Sequence, residues 1–491
     1  MNYRQVKGWM LWLPLFLLIL FWTALYLPRL RTNPGWFIEE SVTLDCANNL
    51  IKGIPAYIAT WNTFFHPVGA HQPGYLLLTG LFAQGDIAGA RFFNALLGLA
   101  IVLSLYLLGR KTLDSSGAFA AALLFLVYEQ SVIHFRSVYS YNGAALGFAL
   151  TALFLMRQTC RKNDVGASVG LTIAAISHPM FAYMGIAAWA ARFQRPRSWS
   201  YLFIAPLVYW MLLVGVVYSF FGGQLFQDIS ALLQSYRRAA ACGIWELIQN
   251  VYRFYAQDWF HIGAFAGLVC CFPRKYYSLG IVTAIVSLLV LQSRTDFRLY
   301  YYPAVPLLPL LALCWGVLVV RINHLFRNLY EYQLALFLVL LLSAFCVGKV
   351  LIPIWYGQLK PKNINMIAQF ISDNEAAAKW LNAHTKPDDL VIGNMNVGWM
   401  LHAQKARYRQ TLAWEGTPTF GYERPVDRSR FRYDVSLNRA KYVIVCFEDF
   451  HWDPAWRNLA PLFTQLEKEQ WPLAWKSSGC SIFVNPNWKK N

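Results

Sequence analysis

The chain has 491 residues, 57% of them hydrophobic and only 14% charged, with a mean hydropathy of +0.35. A soluble globular domain carries about 25% charged residues, so this composition excludes an ordinary soluble enzyme and indicates a polytopic membrane protein. The net charge of +18 divides as +13 on residues 1–359 and +5 on residues 360–491. With no basic groove, zinc spacing or recognition-helix pattern, nothing in the sequence supports a nucleic-acid role.

The first apolar run, Trp9 to Leu27, is long enough to span a bilayer and no small-residue cleavage site follows it, so it reads as a retained signal anchor. Arg4 and Lys7 place the N-terminus on the cytoplasmic side. Further basic clusters at Arg110–Lys111, Arg157–Lys162, Arg192–Arg197, Arg274–Lys275 and Arg321–Arg327 mark cytoplasmic turns. Between them the apolar runs predict spans near 9–28, 91–110, 117–134, 142–157, 165–177, 179–191, 200–221, 258–272, 278–292, 302–320 and 332–353. That is about 11 transmembrane helices, and an odd number puts the C-terminal segment outside. The runs 165–177 and 179–191 are short for a core of ~30 Å. They meet at Ser177-His178-Pro179 and are expected as two short helices within the bundle.

Two outer segments, residues 29–90 and 222–257, are too long to be mere connectors and are expected to carry function. Within the first, Val42, Cys46, Asn49 and Leu50 recur at helical spacing, which suits a short helix at the membrane interface. Residues 1–359 thus read as a transmembrane catalytic domain. Residues 360–491 read as a small extracytoplasmic α/β domain, with helices over Asp373–Ala383 and Trp456–Glu469 and strands at Leu390–Ile392, Tyr442–Val445 and Ile482–Val484.

The nine cysteines include no CxxC pair and no metal-ligand spacing with histidine. Cys270, Cys271, Cys314 and Cys346 sit in apolar runs as small buried thiols. Cys446 and Cys480 fall in the C-terminal domain, where an oxidising compartment permits a disulfide and nothing in the sequence demands one.

An extracytoplasmic face offers no ATP, so an enzyme there needs an activated substrate carried by the membrane. Polyprenyl-phosphate sugars meet that need. Transfer from such a donor requires a carboxylate to take the acceptor's proton and positive charge or hydrogen-bond donors to stabilise the departing phosphate. Glu39 and Glu40, just after the first span, supply the carboxylates. The bland alternative is that they favour the dipole of the helix beginning near Ser41.

The segment Glu39-Glu40-Ser-Val-Thr-Leu-Asp-Cys-Ala-Asn-Asn-Leu-Ile-Lys-Gly-Ile-Pro-Ala-Tyr57 resembles the first-loop signature of the GT-C membrane glycosyltransferases, which include protein O-mannosyltransferases and lipid A aminoarabinose transferases. In that family an Asp-Glu pair opens a surface helix ending in Leu-x-x-Gly and an aromatic residue. The family's next element, Lys-Pro-Pro-Leu, corresponds to His71-Gln72-Pro73-Gly74-Tyr75-Leu76, with Phe82, Gly85 and Arg91 following at compatible spacing. A third element, Arg298-Leu-Tyr-Tyr-Tyr-Pro303-Ala-Val-Pro306, resembles the basic residue and Tyr/Pro pattern that opens a late span. These motifs occupy about a tenth of the chain, while the layout resembles the family along most of its length. The family's leading Asp, its proposed general base, is Glu39 here, and its phosphate-contacting Lys is His71.

The resemblance implies an inverting transferase of a hexosyl or pentosyl group from a polyprenyl-phosphate donor. The expected acceptor is a lipid, glycan or protein at the outer face of a bacterial inner membrane. Glu39 and Glu40 would be the catalytic carboxylates, and His71, Gln72 and Arg298 would bind the donor phosphate. Arg237, Arg238 and Arg294 oppose the positive-inside bias, and with Arg91 and Arg136 they are secondary phosphate candidates beside the alternative of local ion pairing. The sequence implies no certain cofactor; a divalent cation held by His66, His71, Glu39 and Glu40 is a minor alternative without supporting spacing. His178 beside Pro179 reads as a helix-end hydrogen bonder, and Trp36, Trp61 and Trp245 read as packing residues or sugar-stacking platforms. Two rival readings are a lipid-linked sugar transporter or flippase, and a non-catalytic assembly subunit of the same fold.

Overall fold

The computed structural model describes residues 3–36, 38–53, 72–223, 226, 243–272, 275–292, 301–325, 334–357, 359, 371–417, 427–446, 460 and 463–488. Helices in chain order are α1 (Tyr3–Tyr26), α2 (Ile38–Ile51), α3 (Pro73–Ala83), α4 (Ile87–Leu107), α5 (Ser115–Val127), α6 (Glu129–Phe135), α7 (Ser140–Leu155), α8 (Arg161–Ser177), α9 (Phe181–Ala191) and α10 (Pro196–Phe221). They continue as α11 (Ile244–Ala256), α12 (Trp259–Cys270), α13 (Tyr277–Gln292), α14 (Tyr301–Ala304), α15 (Leu308–Leu325) and α16 (Leu334–Tyr356). The C-terminal part holds α17 (Ile371–His384), β1 (Leu390–Gly393), α18 (Met395–Gly398), β2 (Gln404–Arg407), α19 (Tyr408–Trp414), β3 (Ala440–Cys446), β4 (Leu473–Lys476) and β5 (Cys480–Val484).

The chain divides into two compact units. One comprises residues 1–30, 67–75 and 91–359; the other comprises 31–66, 76–90 and 360–491. Among the described residues, four helices are long and apolar enough to cross a membrane, five if α5 and α6 form one broken span. The chain is a mostly helical membrane protein with a small C-terminal sheet.

In the first unit, small residues let helix backbones touch, as suits packing where lipid is as apolar as the side chains. A Cβ built on Gly147 of α7 would stand 2.5 Å from the Gly170 carbonyl of α8 and 2.6 Å from the Ala174 amide, so glycine is needed for that crossing. The run 117–134, expected as one span, is broken. Tyr128 is extended (φ −68°, ψ 123°), and α5 and α6 meet at a 64° bend. The cause lies on α12: the Tyr128 ring stacks on Phe260 at 4.1 Å, and its hydroxyl donates to Asp258 Oδ2 at 2.7 Å. The short helices expected around Ser177-His178-Pro179 are α8 and α9. Proline disfavours helical backbone at the preceding residue, and His178 Nδ1 accepts the Met180 N–H at 3.1 Å.

In the second unit the sheet order is β2-β1-β3-β5-β4, with β1 parallel to both β2 and β3 and the remaining pairs antiparallel. Alternation along the strands feeds two cores. Val391, Tyr442, Ile444 and Ile482 pack with Ala377, Ala378 and Leu381 of α17. Leu390, Ile392, Val443 and Val445 pack with Tyr408, Leu412 and Ala413 of α19 and with Val42, Cys46, Ala47 and Leu76. The face of α2 that its spacing suggested for the membrane interface is therefore filled by protein, with Leu50 also packed against this core. Cys446 and Cys480, directly opposed on β3 and β5, form a disulfide. The expected helix 456–469 lies partly outside the described residues, and 463–468 are helical.

Candidate active site

Alone in water, a 14-residue helix such as α2 is marginal, so its position is set by what it docks on. Trp36, fully buried just before the helix, meets the Trp399 ring edge-on at 5.7 Å, and its indole N–H donates to the Arg31 carbonyl at 2.9 Å. Packed this way, Trp36 serves as an anchor and offers no sugar platform. The Ser41 hydroxyl donates to Asn396 Oδ1 at 2.5 Å. One turn on, the Asp45 carboxylate forms a buried ion pair with Lys405 of β2. Burial also pushes the Cys46 thiol well above its ordinary range.

Glu39 and Glu40 occupy the first turn of α2, where the helix dipole favours negative charge. Glu40 is fully buried, and the Glu39 side chain lies outside the described residues. Upstream, Arg31 pairs with Glu375 at 2.8 Å and Asp86 at 3.3 Å, and the hydrogen bond to Glu375 raises its already high pKa.

The first unit contains a second polar group. Gln72, fully buried, directly precedes α3. The Tyr75 hydroxyl and the Asn142 amide both donate to Asn94 Oδ1, at 2.9 and 2.8 Å, and Asn142 also reaches the carbonyls of His134 and Ser137. Two fully buried guanidinium groups act on the end of α1: Arg136 donates to the carbonyls of Leu25 (2.8 Å) and Pro28 (2.5 Å), and Arg91 to that of Leu30 (2.7 Å). Exposed Arg29 donates to the carbonyls of Ile354, Trp355 and Gly357, at the C-terminal end of α16 where cations are favoured. Sequence reasoning missed Asn94, Asn142 and Arg29. Asn94 and Asn142 carry a readable signal, as polar residues inside apolar runs.

A separate network joins α5–α6 to α12. Asp258 caps α12 through the amides of Phe260 and His261, and His261 Nδ1 lies 2.9 Å from Asp258 Oδ1. The Gln257 amide donates to His261 Nε2 at 2.7 Å, which leaves the ring proton on Nδ1, facing Asp258. His71, Arg237, Arg238, Arg294 and Arg298 lie outside the described residues, as do His66 and Trp61. Trp245 of α11 is exposed. Among the described residues no group of three or more His, Cys, Asp or Glu side chains gathers to hold a metal.

No protein-family model matches the chain, and comparison with curated protein sequences finds no match. Solved structures do match. ArnT from Cupriavidus metallidurans in the apo state superposes with a TM-score of 0.62 at 13% identity, over 98% of this chain and 99% of ArnT. The same enzyme bound to undecaprenyl phosphate gives 0.62 at 13% identity over 99% and 100%. The oligosaccharyltransferase of Archaeoglobus fulgidus gives 0.51 at 14% identity over 89% of this chain and 68% of that protein. The chain shares its fold with ArnT and with that oligosaccharyltransferase.

Proposed function

We propose that the chain is a glycosyltransferase that moves a sugar from a polyprenyl-phosphate donor to an acceptor at the extracytoplasmic face of the membrane, with inversion at the anomeric carbon. The observation that carries this reading is end-to-end likeness to an enzyme solved with undecaprenyl phosphate, in a chain whose first-loop carboxylates open a docked helix. Glu39 takes the proton of the acceptor hydroxyl as its oxygen attacks the anomeric carbon. The bond from that carbon to the phosphate oxygen breaks, and the electron pair leaves with the polyprenyl phosphate. Glu40 supports the site; His71, Gln72 and Arg298 neutralise the leaving phosphate, and Arg91, Arg136, Arg237, Arg238 and Arg294 are secondary candidates for the same charge. Attack opposite the leaving group needs no covalent sugar–enzyme intermediate.

This reading uses eleven spans, a cytoplasmic N-terminus and an outer C-terminal domain over residues 360–491, in a bacterial inner membrane. The Cys446–Cys480 disulfide supports the outer placement, since such bonds persist in oxidising compartments. The test is purified protein in lipid nanodiscs with radiolabelled polyprenyl-phosphate hexoses and pentoses and a panel of envelope acceptors. The reading expects release of polyprenyl phosphate and an inverted product. Retained configuration removes the single-displacement mechanism; turnover on sugar nucleotides alone removes the donor class.

A further inference from the structure

We propose that the buried Asp45–Lys405 ion pair is a positioning latch. It fixes α2 on the C-terminal sheet, so that the C-terminal domain sets the placement of the Glu39–Glu40 turn and thereby the turnover rate. The inference rests on the reading of those glutamates as the reaction's carboxylates, and it assigns the C-terminal domain a part in catalysis.

Two observations carry it. First, the pair is dry: the side chains of Asp45 and Lys405 are 2% and 11% exposed. A buried pair contributes little net stability compared with apolar residues of similar volume, and its best-attested use is to fix register. Second, both ends are themselves held. Asp45 Oδ2 accepts from the Asn49 amide at 3.4 Å. The Lys405 main chain is gripped by one hydroxyl: Tyr433 Oη accepts the Lys405 N–H at 3.1 Å and donates to the Lys405 carbonyl at 2.8 Å. Among the described strands β2 lies at the edge of the sheet, and these backbone groups face away from β1.

The lever arm follows from helix geometry. Glu39 lies six residues before Asp45, about 9 Å along the axis at ~1.5 Å per residue. Tilting α2 by about 6° about the latch moves that turn by about 1 Å, and a misplacement of that size costs on the order of 100-fold in rate.

The test uses the full-length protein in nanodiscs with Asp45→Asn, Lys405→Met and the double variant, read by thermal midpoint, by hydrogen exchange of the α2 amides, and by kcat and KM for the donor. Each single variant strands a buried polar or charged partner and unfolds at lower temperature. The double variant removes both charges and returns to near the wild-type midpoint. Its α2 amides exchange at least tenfold faster, and kcat falls 10- to 100-fold with KM changed less than threefold. A double variant with wild-type kcat and wild-type exchange overturns the latch, as does a loss confined to KM. A wild type that turns over no polyprenyl donor brings down the catalytic reading instead, and the exchange measurement then decides the latch by itself.

Discussion

Trp36 offers a quantitative test of how the carboxylate helix is anchored. Replacing it with alanine removes a fully buried indole, its edge-on contact with Trp399 and the hydrogen bond to the Arg31 carbonyl. Truncating a buried large aromatic to alanine costs about 3–5 kcal/mol. Phenylalanine keeps most of the ring burial and the edge-on contact, which alone is worth about 0.5–1.5 kcal/mol. It loses the indole hydrogen bond, about 0.5–1.5 kcal/mol, and some volume. The expected order is wild type, then Trp36→Phe at about 1–2 kcal/mol, then Trp36→Ala at about 3–5 kcal/mol. At about 2–4 °C per kcal/mol for a unit of this size, the alanine variant melts about 10 °C lower. Differential scanning fluorimetry of protein in nanodiscs reads the midpoint, and hydrogen exchange over residues 31–53 shows whether the loss is local to α2. A midpoint for Trp36→Ala within 2 °C of wild type, on the order of 1 kcal/mol or less, would refute the anchoring argument.

Other expectations follow from single contacts. Gly147→Leu forces α7 away from the α8 backbone near Gly170 and Ala174, where no flexible side chain can yield; it costs about 1–3 kcal/mol or more, visible as reduced folded yield and midpoint. Cys446 and Cys480, 34 residues apart, resist alkylation until reduced, and losing the bond by Cys446→Ser with Cys480→Ser costs about 3–4 kcal/mol in a chain-entropy account. Full alkylation of both thiols in freshly isolated, unreduced membranes contradicts the pairing. Hydrogen bonds from the Trp471 indole and the Gln465 amide hold the Glu469 carboxyl below its ordinary 4.5. Its folded-state pKa is depressed, so its contribution is present above about pH 4.5 and fades as pH falls through the folded value. Glu469→Gln removes that part of the acid limb in a pH series of melts.

Much of the architecture was legible because it rests on long patterns. Apolar runs bounded by basic clusters marked most helices of the first unit, though not α11, and the spacing of Val42, Cys46, Asn49 and Leu50 marked α2. What covers that spacing was not legible, because an apolar stripe reads the same against lipid and against a sheet more than three hundred residues later. The break at Tyr128 carries no proline or glycine; it comes from Phe260 and Asp258 on another helix. Strand β2, Gln-Lys-Ala-Arg, is too short and too polar to show an alternation, and β4 is largely exposed. The paired glutamates were readable only as candidate carboxylates at a helix start. That Trp36, Ser41 and Asp45 fasten their helix depended on partners at 396–405 that no local pattern reveals. Arg91 and Arg136 stood out as basic residues in apolar surroundings, whereas the carbonyls of Leu25, Pro28 and Leu30 they bind could be named only from the structure.

The most direct measurement compares wild type, Glu39→Gln and Glu39→Asp in nanodiscs, reading release of polyprenyl phosphate from a radiolabelled donor in the presence of acceptor. The account predicts that release collapses by three orders of magnitude or so in Glu39→Gln, on the order of the 10²–10⁴ contributed by a general base. The aspartate variant, which carries the residue the GT-C signature has at this position, retains measurable release. Equal release in wild type and Glu39→Gln, with all three proteins folded, would contradict the assignment of the proton-accepting carboxylate.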